Sequence, residues 1–158
     1  MEFSEGVNYT ILVNNANKAF FENFESYKVL DTMDGFDAIK MQVEVFLSKR
    51  IVFNEIWYYL SKEEKSELLE ILKRRNVSFV NITSNVEDVI YSDYVIVYDD
   101  DKKILEGNKE VVLRNEKLLK RLGYGIPFVV DLSIQLNYYD IFDTVYYDMD
   151  KLTEALWN

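Results

Sequence analysis

Apolar runs rich in β-branched and aromatic residues alternate with helix-patterned segments through the first part of this chain, and that alternation constrains its fold more than any other feature. The runs are YTILVN (9–14), SYKVLD (26–31), RIVFNE (50–55), VSFVNIT (77–83) and DYVIVYD (93–99), with a shorter KKILE at 102–106. Each has the length and residue types of a buried strand. KAFFENF (18–24) reads as a short helix, and DAIKMQVEVFLSK (37–49) places Ile39, Val43 and Phe46 along one helical face. KEEKSELLEILKRR (62–75) is preceded by Ser61 as N-cap, with Glu64 completing a capping box and cations in the last turn. Strands alternating with helices predict an α/β domain whose sheet is mostly parallel and flanked by helices.

Two stretches depart from that rhythm. VIVYDDDKKILEG predicts an antiparallel hairpin near 93–106, turning at its acidic triplet. After Gly107 the pattern becomes helical through NKEVVLRN, EKLLKRLG and GYGIPFVVDLSIQL, with Gly123 and Gly125 at turns and Pro127 opening a helix. A last short helix is expected at 150–157. The expected organisation is one domain over 1–158, with an α/β core at 1–107 and a mainly helical extension at 108–158.

Composition removes several kinds of chemistry. The 158 residues include no histidine and no cysteine. Imidazole acid–base catalysis, histidine-based triads, histidine-ligated zinc, thiolate metal sites and disulfides are therefore excluded. Carboxylates, lysines, tyrosines and backbone groups remain. With 28 acidic against 18 basic residues the net charge is −10, and no basic cluster stands out that would displace counterions from nucleic acid. The densest, KRR at 73–75, ends a helix, where cations complement the helix dipole. No apolar run approaches the roughly 18 residues of a membrane span, and MEFSEGVNY lacks the basic-then-apolar pattern of a secretory leader. The expectation is a cytoplasmic protein with no nucleic-acid partner and no membrane insertion of its own.

The stretch RIVFNEIWYYLSKEE (50–64) holds the strongest candidate site. Asn54-Glu55 ends an apolar strand, where a carboxylate can meet a ligand. Trp57, Tyr58 and Tyr59 follow, residue types that anchor protein interfaces and equally fill cores. A further reading is a carboxylate-based hydrolase using Glu55 with an acid such as Asp99 or Asp100. The acidic triplet at 99–101 lacks the spaced ligands of a calcium loop, and no metal is expected.

The order of these segments resembles the C-terminal half of an ABC-type ATPase, most of all the energy-coupling-factor (cobalt and vitamin transporter) ATPases, over about residues 50–136. RIVFNEIWYYLSKEEKSELLEIL resembles their Walker B strand, D-loop and following helix. VSFVNITSNVEDVIYSDYVIVYDDDKKILEGNKEVV resembles the switch strand, the next helix and a hairpin ending in Glu-Gly. LLKRLGYGIPFVVDLSIQL resembles the helix–Pro–helix segment beyond it. The resemblance implies a reduced P-loop NTPase fold. It puts Glu55 at the position of the glutamate that polarises water, Asn54 at that of the magnesium-supporting aspartate, Ser61 at that of the D-loop aspartate and Ser84 at that of the switch histidine. It puts Trp57, Tyr58 and Tyr59 where the D-loop meets a second subunit.

Against the same family the phosphate loop falls at ILVNNANKAFF (11–21), which has no glycine. Asn15, Asn17 and Lys18 are what remains there to hold a nucleotide, and Ala19-Phe20 offers no hydroxyl for magnesium. The signature loop falls at MDGFDAIK (33–40), where Gly35 persists and Asp34 would repel a γ-phosphate. Fourteen residues separate Lys18 from Met33, an interval that holds the glutamine loop and helical subdomain in the family. These departures predict a protein without ATPase activity and without a bound cofactor, ATP with magnesium being the one in question. It would act through contact with another copy, an ABC-type ATPase subunit or a membrane coupling subunit, and through that partner lie at the membrane periphery. The alternative is weak nucleotide binding at Lys18 without turnover.

Overall fold

A computed structural model describes residues 1–31 and 35–158. Six strands form one sheet: β1 (Tyr9–Leu12), β2 (Lys28–Leu30), β3 (Arg50–Asn54), β4 (Ser78–Thr83), β5 (Tyr94–Asp99) and β6 (Lys102–Asn108). Their order is β2-β3-β4-β1-β5-β6, with every pairing parallel except the β5–β6 hairpin. The expected fold class is the one observed. The hairpin turns at Asp100-Asp101, with Asp100 in left-handed backbone (φ 53°), a conformation that aspartate tolerates better than most residues. A register shift at Val97/Tyr98 marks a bulge in it.

The helices are α1 (Lys18–Phe21), α2 (Phe36–Glu44), α3 (Lys62–Arg74), α4 (Lys109–Leu113), α5 (Glu116–Arg121), α6 (Phe128–Tyr138) and α7 (Met149–Trp157). The capping box of α3 forms as its sequence requires: Glu64 N–H donates to Ser61 Oγ (3.1 Å), and Ser61 N–H to Glu64 Oε1 (2.9 Å). Pro127 stands one residue ahead of α6, as its cap. Helix α2 stops at Glu44, five residues before the periodicity suggested. The chain must turn there to enter β3, and Lys49 C=O already accepts the Ser78 amide (2.8 Å) as a rung before the β3–β4 pairing. Phe46 still packs against the core, from an irregular backbone. Residues 86–91, read as a helix through the resemblance, form a 3-10 segment.

Alternation along β4 assigns the two faces of the sheet. Val80 and Ile82 meet Phe20 and Phe24 from α1 and the turn after it. Phe79 points the other way, into a cluster with Leu68 and Leu72 of α3 and Ile39 and Val43 of α2. A second cluster on that face joins Leu12, Val95 and Val97 to the C-terminal helices through Val112, Leu119, Val130 and Leu152. Between the two clusters runs a buried polar seam of Thr10, Ser92, Asn81, Thr83 and Asp88. Within it Thr10 Oγ1 donates to Ser92 Oγ (2.8 Å) and Thr83 Oγ1 to Asp88 Oδ2 (2.9 Å).

Candidate functional site at the C-terminal edge of the sheet

Strands β1, β3 and β4 run parallel, so their C-terminal ends share one edge. From β1 the chain crosses to β2 on one side; from β4 it crosses β1 to β5 on the other. The direction of winding therefore reverses between β1 and β4, where doubly wound sheets open a ligand crevice. The seam there is closed by Val13 N–H donating to Thr83 C=O (3.0 Å).

Glu55 reaches this edge with its side chain engaged. Its amide donates to Ile82 C=O (2.9 Å), adding one rung beyond β3, and its backbone then turns left-handed (φ 54°). That conformation is costly for a residue of this size. Its Oε1 accepts the Ser84 amide (2.8 Å), and Oε2 lies 3.4 Å from Thr83 Oγ1. Thr83 has one hydroxyl proton and two carboxylates near it. Asp88, at 2.9 Å, holds the shorter contact. Lys65 of α3 lies 3.9 Å from the other Asp88 oxygen, and its ammonium sits over the Tyr91 ring. Burial raises the Asp88 carboxyl above the ordinary aspartate value, offset in part by the Thr83 hydroxyl and the Lys65 charge.

The loop after β1 has a different character. Asn15 is left-handed (φ 56°), and Asn17 is spent as a cap, its Oδ1 accepting the Phe20 amide (2.9 Å). A cleft of about 650 Å³ opens beside it, lined by Asn14, Asn15, Asn17, Tyr98, Asp100 and Asp101 among others. Lys18 is exposed and does not line it, and neither does Glu55. Two aspartates on the wall disfavour an anion. Phe20 is buried beneath the loop, against Phe24 and Tyr98. On the neighbouring strand end Tyr124 donates to Tyr98 C=O (2.8 Å), its phenol pushed up to about 12 by burial.

The structure gathers some of the residues singled out from sequence and separates others. Glu55 and Ser84 meet at the edge, and Asn54 is the last residue of β3. Ser61 is the α3 cap. Gly35 precedes α2 at φ 102°, a backbone conformation that glycine adopts without strain. Met33 and Asp34 of the expected signature loop lie outside the described residues. Of the two aspartates suggested as its partner, neither Asp99 nor Asp100 is hydrogen-bonded to Glu55, whose side chain meets Ser84 and Thr83, and Asp100 lines the cleft on the β5–β6 side. The aromatic triplet divides. Trp57 is wholly buried among Phe53, Phe79 and Tyr91, with ring centroids 5.1–5.8 Å away, and is therefore a core residue; Tyr58 and Tyr59 are 61% and 66% exposed. Sequence reasoning missed Thr83, Asp88 and Lys65. A buried Asp in a 3-10 segment has no periodic signal, though its position five residues beyond Thr83 follows a strand end, where polar partners gather. Among the described residues no group of three or more acidic side chains could hold a metal, and no helix is long and apolar enough to cross a membrane.

Comparison with known proteins bears out the resemblance. The chain is 33% identical over 89 residues to the energy-coupling factor transporter ATP-binding protein EcfA1 of Clostridioides difficile (strain 630), covering 54% of this chain and 32% of that protein. It is 30% identical over 128 residues to the EcfA1 of Lactobacillus delbrueckii subsp. bulgaricus, covering 78% of this chain and 43% of that protein. The chain thus spans from a third to under half of the length of these relatives. Its fold matches a metal-chelate-type ABC transporter solved in an inward-facing conformation, with TM-score 0.53, 12% identity and coverage of 75% of this chain and 78% of that one. No protein-family model matches the chain.

Proposed function

Taking as premise that the chain is a reduced relative of the energy-coupling-factor ABC-type ATPases, we propose that it does not hydrolyse ATP and works through contact with another protein. One observation carries this reading: the groups best suited to phosphoryl chemistry, Glu55, Asn17 and Lys18, are either bonded within the fold or placed away from one another. Glu55 is bound to Ser84 and faces Thr83, Asn17 caps α1, Lys18 lies outside the cleft, and the cleft wall is acidic. Phosphoryl transfer depends on positioning and on neutralising charge at one point. These groups converge on no such point.

The contact surface follows from the same edge. Tyr58 and Tyr59 project from the turn between β3 and α3, with ring centroids 5.4 Å apart, and Lys62 at the start of α3 pairs with Asp150 of α7. Exposed tyrosines suit an interface because they bring large apolar area with few rotatable bonds. The partner is a second copy, an ABC-type ATPase subunit or a membrane coupling subunit, which would hold this chain at the membrane periphery. The test combines turnover and association. Purified chain with ATP and magnesium should release no phosphate above that of the Glu55→Gln variant, and calorimetry at millimolar ATP should record no heat. Sedimentation, alone and with an energy-coupling-factor ATPase, should show a complex that Tyr58→Ala/Tyr59→Ala weakens. Turnover abolished by Glu55→Gln would overturn the first half; a strict monomer with no partner would overturn the second. Heat without turnover would favour the second reading, a nucleotide sensor that holds nucleotide weakly at Lys18 without hydrolysing it.

A further inference from the structure

The opposite edge of the sheet carries a cleft of another kind. At the N-terminal ends of β2, β3 and β4 the chain segments 3–6, 26–28, 46–50 and 76–78 enclose about 460 Å³. Three cations line it, Lys28, Lys49 and Arg50, against one carboxylate, Glu5. Two net positive charges therefore sit around one cleft, in a chain whose overall charge is −10. Ser26, Ser48 and Ser78 also line it.

Arg50 is built into this wall. Its guanidinium lies 5.4 Å from the ring centroids of both Phe3 and Tyr9, and donates to Val7 C=O (2.8 Å) and Ser4 C=O (2.6 Å). A guanidinium has five N–H donors, so three remain after those two bonds. The carbonyl contacts and flanking rings fix its plane, and a fixed fork suits an oxyanion better than a mobile ammonium does. Lys49 is held by Glu5 (2.8 Å) in a pair whose members are both well exposed, an arrangement worth little in water and easily exchanged for another anion. Phe3, Tyr27 and Phe46 add apolar surface beside the charged groups. The volume lies within the range of small-molecule sites and exceeds what a bare phosphate would fill.

We propose that this cleft binds a phosphomonoester carrying a planar apolar body, the phosphate meeting Arg50, Lys28 and Lys49 and the body lying against Tyr27 and Phe46. The site is on the edge opposite Glu55 and the Asn17 loop, and does not depend on whether those groups turn over ATP.

Phenyl phosphate, inorganic phosphate and phenol are the probes, titrated into the full chain and followed by amide chemical shifts. Phenyl phosphate should shift the amides of Ser26, Lys28, Ser48 and Lys49 saturably. Inorganic phosphate should shift the same set more weakly, and phenol should leave them in place. Lys28→Glu/Lys49→Glu, at exposed positions, should weaken phenyl phosphate by about tenfold or more, while Glu5→Gln, which frees Lys49, should tighten it. Shifts confined to residues 13–23, equal response to phenol, or a Glu5→Gln variant that binds more weakly would each overturn the assignment. If folding is in question for the double variant, the opposite sign expected of Glu5→Gln decides alone.

Discussion

The two ends of the sheet use their polar side chains in opposite ways. At the C-terminal edge Glu55, Asn17, Thr83 and Asp88 bond to neighbours in the same fold, and the aspartates of the hairpin line the remaining cleft. At the N-terminal edge Arg50 is oriented with donors to spare, and Lys28 and Lys49 face an open cleft. A side chain that completes the architecture has little left to offer a ligand. The edge that holds Glu55 is thus the more structural of the two in this chain.

The largest effect should come from Trp57→Ala. Trp57 backs the C-terminal edge and is fully buried, so truncation should cost about 3–5 kcal/mol in urea unfolding. A cost near zero would mean the aromatic turn is loosely held, and the contrast between the edges would fail. Next comes the Asp88 carboxyl, which burial raises above its ordinary 3.8. The folded chain binds that proton more tightly than the unfolded chain does. Its stabilisation is complete below the unfolded value and is lost as pH rises through the higher folded value. Stability measured against pH should therefore fall across that acidic window in the natural chain, and fall less in Asp88→Asn. An identical slope in both would remove Asp88 from the buried seam.

Glu55→Gln should lower stability by at most about 1 kcal/mol, the size of a charge-assisted bond weakened at the exposed Ser84 amide. Unchanged stability would mean that Glu55 is free, and would reopen a role for it with a ligand. Smallest of all, Lys28→Glu should leave the urea midpoint in place, since Lys28 is exposed and surface charges of this kind add little. A marked loss there would make the basic cleft architectural too, and erase the distinction.

The reading of β3 through α3 shows where sequence is sufficient. Ile51-Val52-Phe53, the Ser61–Glu64 capping box and the cations closing α3 all act within a few residues, and each appears where its pattern places it. The end of α2 shows the contrary. Ile39, Val43 and Phe46 continue a helical stripe, yet the helix stops at Glu44 because the backbone of Lys49 pairs with Ser78, 29 residues on. The partition of Trp57 from Tyr58 and Tyr59 is of the same kind. Three adjacent aromatics carry no mark of which one points inward until Phe79 and Tyr91 arrive from β4 and the turn after it.

By itself the sequence determined the α/β alternation, the hairpin and the caps. These are properties of residue type and short spacing, and local sterics and hydrogen bonding enforce them. Only the tertiary structure decided that Glu55 turns to Ser84, that Lys18 stays outside the cleft, and that Lys28, Lys49 and Arg50 meet at one end of the sheet. Those outcomes depend on which strands become neighbours, and strand order brings together residues whose separation along the chain carries no signal.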